Sequence, residues 1–116
     1  MHELGIAEDL FKIVKKKAQG FNLKKVTKIR IKVGAASGID IEFLRHSFND
    51  HVFPDTIAHG AELELISEPV EAKCKKCGEI INAQKHEFSK SCPSCGGLYI
   101  EIIKGKDVYI EDIEGE

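Results

Sequence analysis

The sequence predicts an α+β fold in which two helices pack on a mostly antiparallel sheet that is interrupted by an inserted cysteine-bearing module. Three observations support this prediction. Apolar residues recur at helical spacing in two segments, and they alternate with other residues in four shorter ones. The stretch between Pro69 and Gly97 holds all four cysteines and few large apolar side chains. A chain of 116 residues is long enough for one domain, or for one domain plus a small module.

Two segments have the spacing of amphipathic helices. The first is predicted from Leu4 to Gln19 and stops at Gly20, since glycine commonly follows the last turn of a helix. The second is predicted from Asp40 to Phe53, with Asp40 as its N-cap and Pro54 marking its end. The apolar positions that define these helices are Ala7, Leu10, Phe11, Val14 and Ala18 in the first and Ile41, Leu44, Phe48 and Val52 in the second.

Four segments have the two-residue period of half-buried strands. The first is predicted from Val26 to Val33, where three apolar residues alternate with Lys28, Arg30 and Lys32. The others contain Leu63 and Leu65, Leu98 to Ile102, and Val108 to Ile110, with a tight turn at Gly105 before the last. The basic outer face of the first strand is expected to pair across strands with Glu62, Glu64 or Glu101.

Composition divides the chain into three parts. Residues 1–70 are predicted to form the first part of one domain, residues 71–97 the cysteine module, and residues 98–116 the final strands that complete the first domain. The module has too few apolar side chains for a core of its own, so it requires a stabilising cross-link, and a bound metal ion is the obvious one.

Charge and motifs exclude several functional classes. The 17 Lys+Arg residues are balanced by 19 Asp+Glu, which disfavours a dedicated nucleic-acid binder. The lysine clusters 15–17 and 73–76 nevertheless leave a module that binds nucleic acid or protein as the rival class. No P-loop, nucleophile elbow or H-E-x-x-H motif is present, so no enzyme is predicted. Lysines interrupt any early apolar run, and no segment approaches the ~20 apolar residues of a membrane span, so we expect a cytoplasmic protein without membrane contact.

The four cysteines form two matched C-x-x-C-G motifs, Cys74 with Cys77 and Cys92 with Cys95. Each turn brings two thiolates to one side, and the glycine after the second cysteine permits the positive φ that closes such a knuckle. Two facing knuckles supply a closed tetrahedral shell, which predicts structural zinc in a zinc-ribbon-like module. Redox chemistry of a C-x-x-C pair and iron in place of zinc are the alternatives.

The first three residues, Met1, His2 and Glu3, form a second candidate site. The Met1 amine, the His2 amide and the His2 ring can close fused chelate rings around a metal that displaces amide protons, which indicates Ni²⁺ or Cu²⁺. The Glu3 amide or carboxylate would complete the set, and these residues are expected to precede the helix in extended form, because a helix N-terminus repels cations. An ordinary exposed terminal histidine is the alternative.

Several motifs together resemble the HypA/HybF hydrogenase maturation factors over essentially the full length. They are M-H-E-L at the start, Val33-Gly34, Gly60-Ala61-Glu62-Leu63, the two cysteine motifs, and the Gly105 turn before the last strand. The resemblance implies nickel at Met1, His2 and Glu3, and zinc at the four cysteines. It further implies nickel delivery to the [NiFe]-hydrogenase large-subunit precursor with a HypB-type GTPase as partner, and in some bacteria urease maturation. The chain departs from the family pattern at Ala35-Ala36 and Gly96-Gly97, neither of which touches a proposed ligand.

The remaining histidines are weaker candidates. His86 lies between the cysteine pairs and is either an accessory nickel ligand, a neighbour of the zinc ligands or an exposed loop residue. His51 borders the apolar stripe of the second helix and is expected to be half-buried, whereas His46 and His59 are expected at the surface. A separation of five residues does not align His46 and His51 on one face of an α-helix, so no metal pair is predicted there.

Overall fold

The structure is a computed structural model that describes residues 3–82, 92, 95–97 and 100–116, and it confirms the predicted α+β class. The elements in chain order are α1 (Glu3–Gly20), β1 (Val26–Gly34), α2 (Ile41–His46), a π-helix (Ser47–Val52), β2 (Glu62–Glu68), β3 (Glu71–Cys74), β4 (Ile80–Asn82), β5 (Ile100–Lys104) and β6 (Val108–Gly115). Among the described residues, no helix has the length and apolarity required to cross a bilayer.

The first sheet has three strands in the order β2-β1-β6. The central strand β1 is antiparallel to β6, as expected, but parallel to β2, with Ile29 opposite Leu63 and Ile31 opposite Leu65. A parallel pair requires a crossover connection that returns the chain to the same end of the sheet. The segment that contains α2 and the π-helix makes this crossover.

The helices cover one face of the first sheet. The predicted alternation along β1 is confirmed, because Val26, Ile29, Ile31 and Val33 are buried while the residues between them are partly exposed. The stripe predicted for the first helix is confirmed as well, and it packs with β1 and the second helical segment in one core. The helical members of this core are Ala7, Leu10, Phe11, Val14, Ala18, Leu44 and Phe48.

The outer face of β1 carries the expected cross-strand ion pairs. Lys28 Nζ lies 3.4 Å from the Glu64 carboxylate, and Arg30 Nε lies 3.1 Å from the same group. Arg30 also contacts Asp112 on the other neighbouring strand, at 3.0 Å. Glu101 does not join this face: its carboxylate lies 3.6 Å from Lys75, because β5 belongs to the other sheet.

The second predicted helix is divided into two kinds of helix. Asp40 is its N-cap, as predicted, and its side chain accepts hydrogen bonds from the N–H groups of Glu42 and Phe43. After His46 the chain widens into the π-helix, where Phe53 N donates to Phe48 O across five residues at 2.8 Å. Hydrogen bonds from i to i+5 place residues five apart on one side of the helix, so the side chains of Phe48 and Phe53 both enter the core.

The second sheet has the order β4-β3-β5, and both of its pairings are antiparallel. Of the two final strands, β6 therefore pairs with β1 in the first sheet, whereas β5 pairs with β3 in the second. The alternating pattern of residues 98–102 fits either sheet, and the contact of Ile100 with the cysteine-bearing core decides between them. That core is small, with only Ala72, Cys74, Ile81 and Cys92 buried among the described residues.

Candidate metal centre

The four cysteine sulfurs converge at one end of the second sheet, as the sequence predicts. Their Sγ atoms all lie within 4.8 Å of one another. The Cys74–Cys95 and Cys77–Cys92 distances are 3.6 Å and 3.8 Å. Disulfide bonds require about 2.05 Å, whereas Zn–S bonds of about 2.3 Å at tetrahedral angles place the sulfurs about 3.8 Å apart. The donor set and its spacing therefore fit a tetrahedral metal ion.

Each C-x-x-C pair lies in a turn with the same pattern of backbone hydrogen bonds. Gly78 N donates to Cys74 O, and Gly96 N donates to Cys92 O, both at 2.8 Å. These glycines have φ values of 79° and 73°, which confirms the predicted need for glycine after each second cysteine. The two halves of the site are distant in sequence, but they share the same local backbone geometry.

The two members of each pair differ in their surroundings. Cys74 and Cys92 are buried in the small second core, while Cys77 and Cys95 are exposed. The buried members fasten the site to the sheet. The exposed Cys95 sulfur accepts a hydrogen bond from Gly97 N at 3.4 Å, so a backbone donor reaches this sulfur.

Electrostatic interactions within the cluster give two of the thiols very different pKa values. Hydrogen bonds from the backbone N–H groups of Cys77 and Lys76 lower the pKa of Cys74 to about 6, against the effect of burial. A backbone N–H from Glu79 lowers the pKa of Cys77, but partial desolvation of its sulfur and the other three sulfurs outweigh it and raise that pKa to about 12. The neighbouring sulfurs cannot all be ionised without a compensating cation, because like charges at this distance repel strongly. A bound divalent ion removes this restriction.

The N-terminal candidate site is described only at Glu3. Met1 and His2 lie outside the described residues, whereas Glu3 is the first residue of α1, so the expected extended conformation does not include it. An acidic residue in the first turn is favourable, since it faces the positive end of the helix dipole. The Glu3 carboxylate accepts a hydrogen bond from Asp40 N at 3.4 Å, which brings the start of α1 beside the start of α2.

The other histidines are distributed partly as expected. His86 lies outside the described residues, and His59 is exposed. His46 is exposed as expected, whereas His51 is exposed and not half-buried. The expectation that the two are not aligned is also wrong, because their ring centroids lie 5.2 Å apart. The π-helix explains the difference. Residues five apart differ by about 140° in an α-helix, whereas i to i+5 bonding brings them together. The sequence feature that could have indicated the π-helix is the five-residue spacing shared by His46–His51 and by the core pair Phe48–Phe53.

Comparison with known proteins identifies similar sequences over the whole chain. The family described as hydrogenase/urease nickel incorporation, metallochaperone, hypA matches residues 1–115. A hydrogenase maturation factor HypA from Aquifex aeolicus is 35% identical over 117 residues, covering 100% of this chain and 98% of the relative. Its counterpart from Francisella philomiragia is 38% identical over 118 residues, covering 97% of each chain.

Solved structures agree in fold. The solution structure of the Ni metallochaperone HypA from Helicobacter pylori superposes with a TM-score of 0.79 at 20% sequence identity, covering 100% of both chains.

Proposed function

The chain belongs to the HypA family of hydrogenase maturation metallochaperones, and from this premise we propose that it binds Ni²⁺ at its N-terminus and delivers the ion to a hydrogenase precursor. This family is not a family of enzymes, so the activity is reversible metal transfer without covalent chemistry. The full-length family match is the observation that carries the proposal.

The proposed nickel ligands are the Met1 amine, the amide and ring nitrogens of His2, and Glu3. Nitrogen donors in fused chelate rings suit Ni²⁺, because this ion tolerates square-planar geometry and competes well with protons for amide nitrogen. The Glu3 carboxylate lies beside the start of α2, where it accepts a hydrogen bond from Asp40 N. His86 remains a proposed accessory ligand.

The proposed ion in the cysteine cluster is structural Zn²⁺. A closed shell of four sulfurs leaves no coordination position for a reacting water molecule, which is the pattern of structural zinc sites. Zinc would stabilise a sheet whose own core contains few apolar side chains. Metal analysis of purified protein distinguishes zinc from iron directly, because both accept tetrahedral thiolate ligands.

The proposed partners follow from family membership. They are a HypB-type GTPase and the large-subunit precursor of a [NiFe]-hydrogenase, with a urease precursor as a further client in organisms that contain one. We place the activity in the cytoplasm, where thiols persist as metal ligands and are not oxidised to disulfides.

A nickel titration of the untagged protein beside a version with two added N-terminal residues tests the terminal site. The extension removes the Met1 amine from the position next to His2, so we expect the tight nickel site to be lost while the four-cysteine site keeps its zinc. Substitution His2→Ala should have the same effect. Equal nickel affinity in the untagged and extended proteins would show that the terminus is not the site.

A further inference from the structure

The π-helix creates a pair of neighbouring imidazoles that has no part in the proposed function. The His46 and His51 rings meet edge to face, with centroids 5.2 Å apart and planes at 80°. Nitrogens that bind one metal ion in adjacent positions lie about 3 Å apart, given metal–nitrogen bonds of 2.0–2.1 Å. A metal ion lies about 2 Å beyond the nitrogen of each imidazole that binds it, so two rings with centroids 5.2 Å apart are close enough to share one ion once their side-chain torsions adjust.

Asp50 orients one of the two rings. Its carboxylate Oδ2 lies 2.7 Å from His46 Nδ1, on the same face of the helix. An ionised carboxylate can only accept a hydrogen bond, so Nδ1 carries the proton, and in the neutral ring Nε2 has the lone pair that a metal ion requires. This is the carboxylate–histidine arrangement found behind histidine ligands in metal sites, where it fixes the tautomer and raises ligand basicity.

The surroundings of His46 favour a cation. His46 lines a surface depression of about 330 Å³ together with Asp40, Glu42 and Phe43. The carboxylates of Asp40 and Glu42 add negative charge, which is partly offset where Arg45 lies 3.8 Å from Glu42. The side chains of His46 and Asp50 are 56% and 57% exposed, so an ion can reach the ring without opening the fold.

We propose that His46 and His51 form a surface site for a divalent first-row metal ion, with Ni²⁺ as the ion available to a nickel-incorporation family and Asp50 as the residue that positions His46. Imidazole is a suitable ligand for Ni²⁺, and water would complete the coordination sphere. With only two protein ligands the ion exchanges readily with solvent. The site is separate from the cysteine cluster and shares no ligand with the proposed terminal site.

The test uses the full-length, zinc-loaded chain carrying two added N-terminal residues, so that the terminal site cannot contribute. Ni²⁺ is titrated while the histidine ring signals are followed by NMR, and affinity is measured by calorimetry. We expect the His46 and His51 signals to broaden first, and His46→Gln or His51→Gln to weaken this binding by about tenfold or more. His59→Gln is the matched control, because His59 is also exposed and lies outside the pair.

The positioning role of Asp50 has its own readout. In the metal-free parent, ¹⁵N chemical shifts should report the Nδ1–H tautomer of His46. Asp50→Ala should shift the ring toward the Nε2–H tautomer and lower the affinity for Ni²⁺ by about tenfold. All four variants change exposed side chains, and amide spectra check that they fold. Unchanged affinity in both His46→Gln and His51→Gln, or an equal loss in His59→Gln, would overturn the site. An unchanged tautomer in Asp50→Ala would overturn the role of Asp50.

Discussion

The Tyr109 hydroxyl donates a hydrogen bond to one carboxylate oxygen of Glu68, and the other oxygen accepts from Gly105 N at 3.2 Å. Glu68 ends β2, and Gly105 lies in the turn between β5 and β6, so this carboxylate joins the two segments by which the chain passes between its sheets. The Tyr109 hydroxyl, followed by the Gly105 N–H, lowers the pKa of Glu68, and Glu68 in turn raises the pKa of Tyr109.

We expect these shifts to stabilise the fold between two pH limits. The folded pKa of Glu68 lies below its ordinary value of 4.5, so its contribution is present above 4.5 and is lost as pH falls through the folded value. The folded pKa of Tyr109 lies above its ordinary value of 10, so its contribution is present below 10 and is lost as pH rises through the folded value. Tyr109→Phe should therefore flatten the pH dependence at both ends. Urea denaturation between pH 3 and 11 measures this, with the exposed Glu8→Gln as control; a profile identical to the parent would contradict it.

Gly34 is expected to tolerate no side chain. A Cβ atom there would lie 2.3 Å from Gly105 O and 2.8 Å from Lys106 N, both of which are backbone atoms. Gly34→Ala must therefore displace the turn between β5 and β6, at a cost of about 1–3 kcal/mol in the free energy of unfolding. Gly20→Ala is the control, because an added Cβ meets nothing within 4 Å. Thermal denaturation of both variants should show a loss only for Gly34→Ala.

Patterns of local sequence predicted much of the fold. The stripe along α1, the alternation along β1 and the Asp40 cap each depend on residues within one element, so spacing and side-chain chemistry were sufficient. The cysteine cluster was predictable for the same reason, since each knuckle is a five-residue unit with its own turn geometry.

Features that depend on partners distant in sequence were not predictable in this way. The parallel pairing of β1 with β2 follows from how the crossover packs, and the choice of β5 between two sheets follows from contact with the core around Cys74. The π-helix needed knowledge that Phe48 and Phe53 are both buried, at 0% and 2% exposure. Without it, the spacing of His46 and His51 indicated an unaligned pair.

Asp40 should stabilise α2 mainly as its N-cap. Its Oδ1 accepts from Glu42 N at 2.9 Å and from Phe43 N at 3.1 Å. Asp40→Ala leaves both donors without this acceptor and should lower the free energy of unfolding by about 1 kcal/mol. Asp40→Asn retains a side-chain oxygen and should cost clearly less. Chemical denaturation of the two variants makes the comparison, and equal losses in both would show that charge, not capping, is the main contribution.

Removal of the proposed zinc ion should affect the second sheet more than the first. The core around Cys74 is too small to hold β3, β4 and β5 together without a metal cross-link, whereas the first sheet is covered by α1 and α2. Cys74→Ser, or a strong chelator, should abolish amide-exchange protection at Ala72 while Ile29 and Ile31 remain protected. Lys75→Ser, in the same turn but without a ligand atom, should behave like the parent. Simultaneous loss of protection in both sheets would contradict this independence.

Zinc binding should release more protons at low pH than at neutral pH. The backbone donors around Cys74 hold its pKa at about 6, so above that pH it is already a thiolate and contributes no proton when the ion binds. Cys77, with a pKa of about 12, must lose its proton on binding at either pH. As pH falls from 7 to 5, the number released per zinc ion should therefore rise by up to about one. Calorimetric titrations in buffers of different ionisation enthalpy measure this number, and a constant value across the range would contradict the assignment of the low pKa to Cys74.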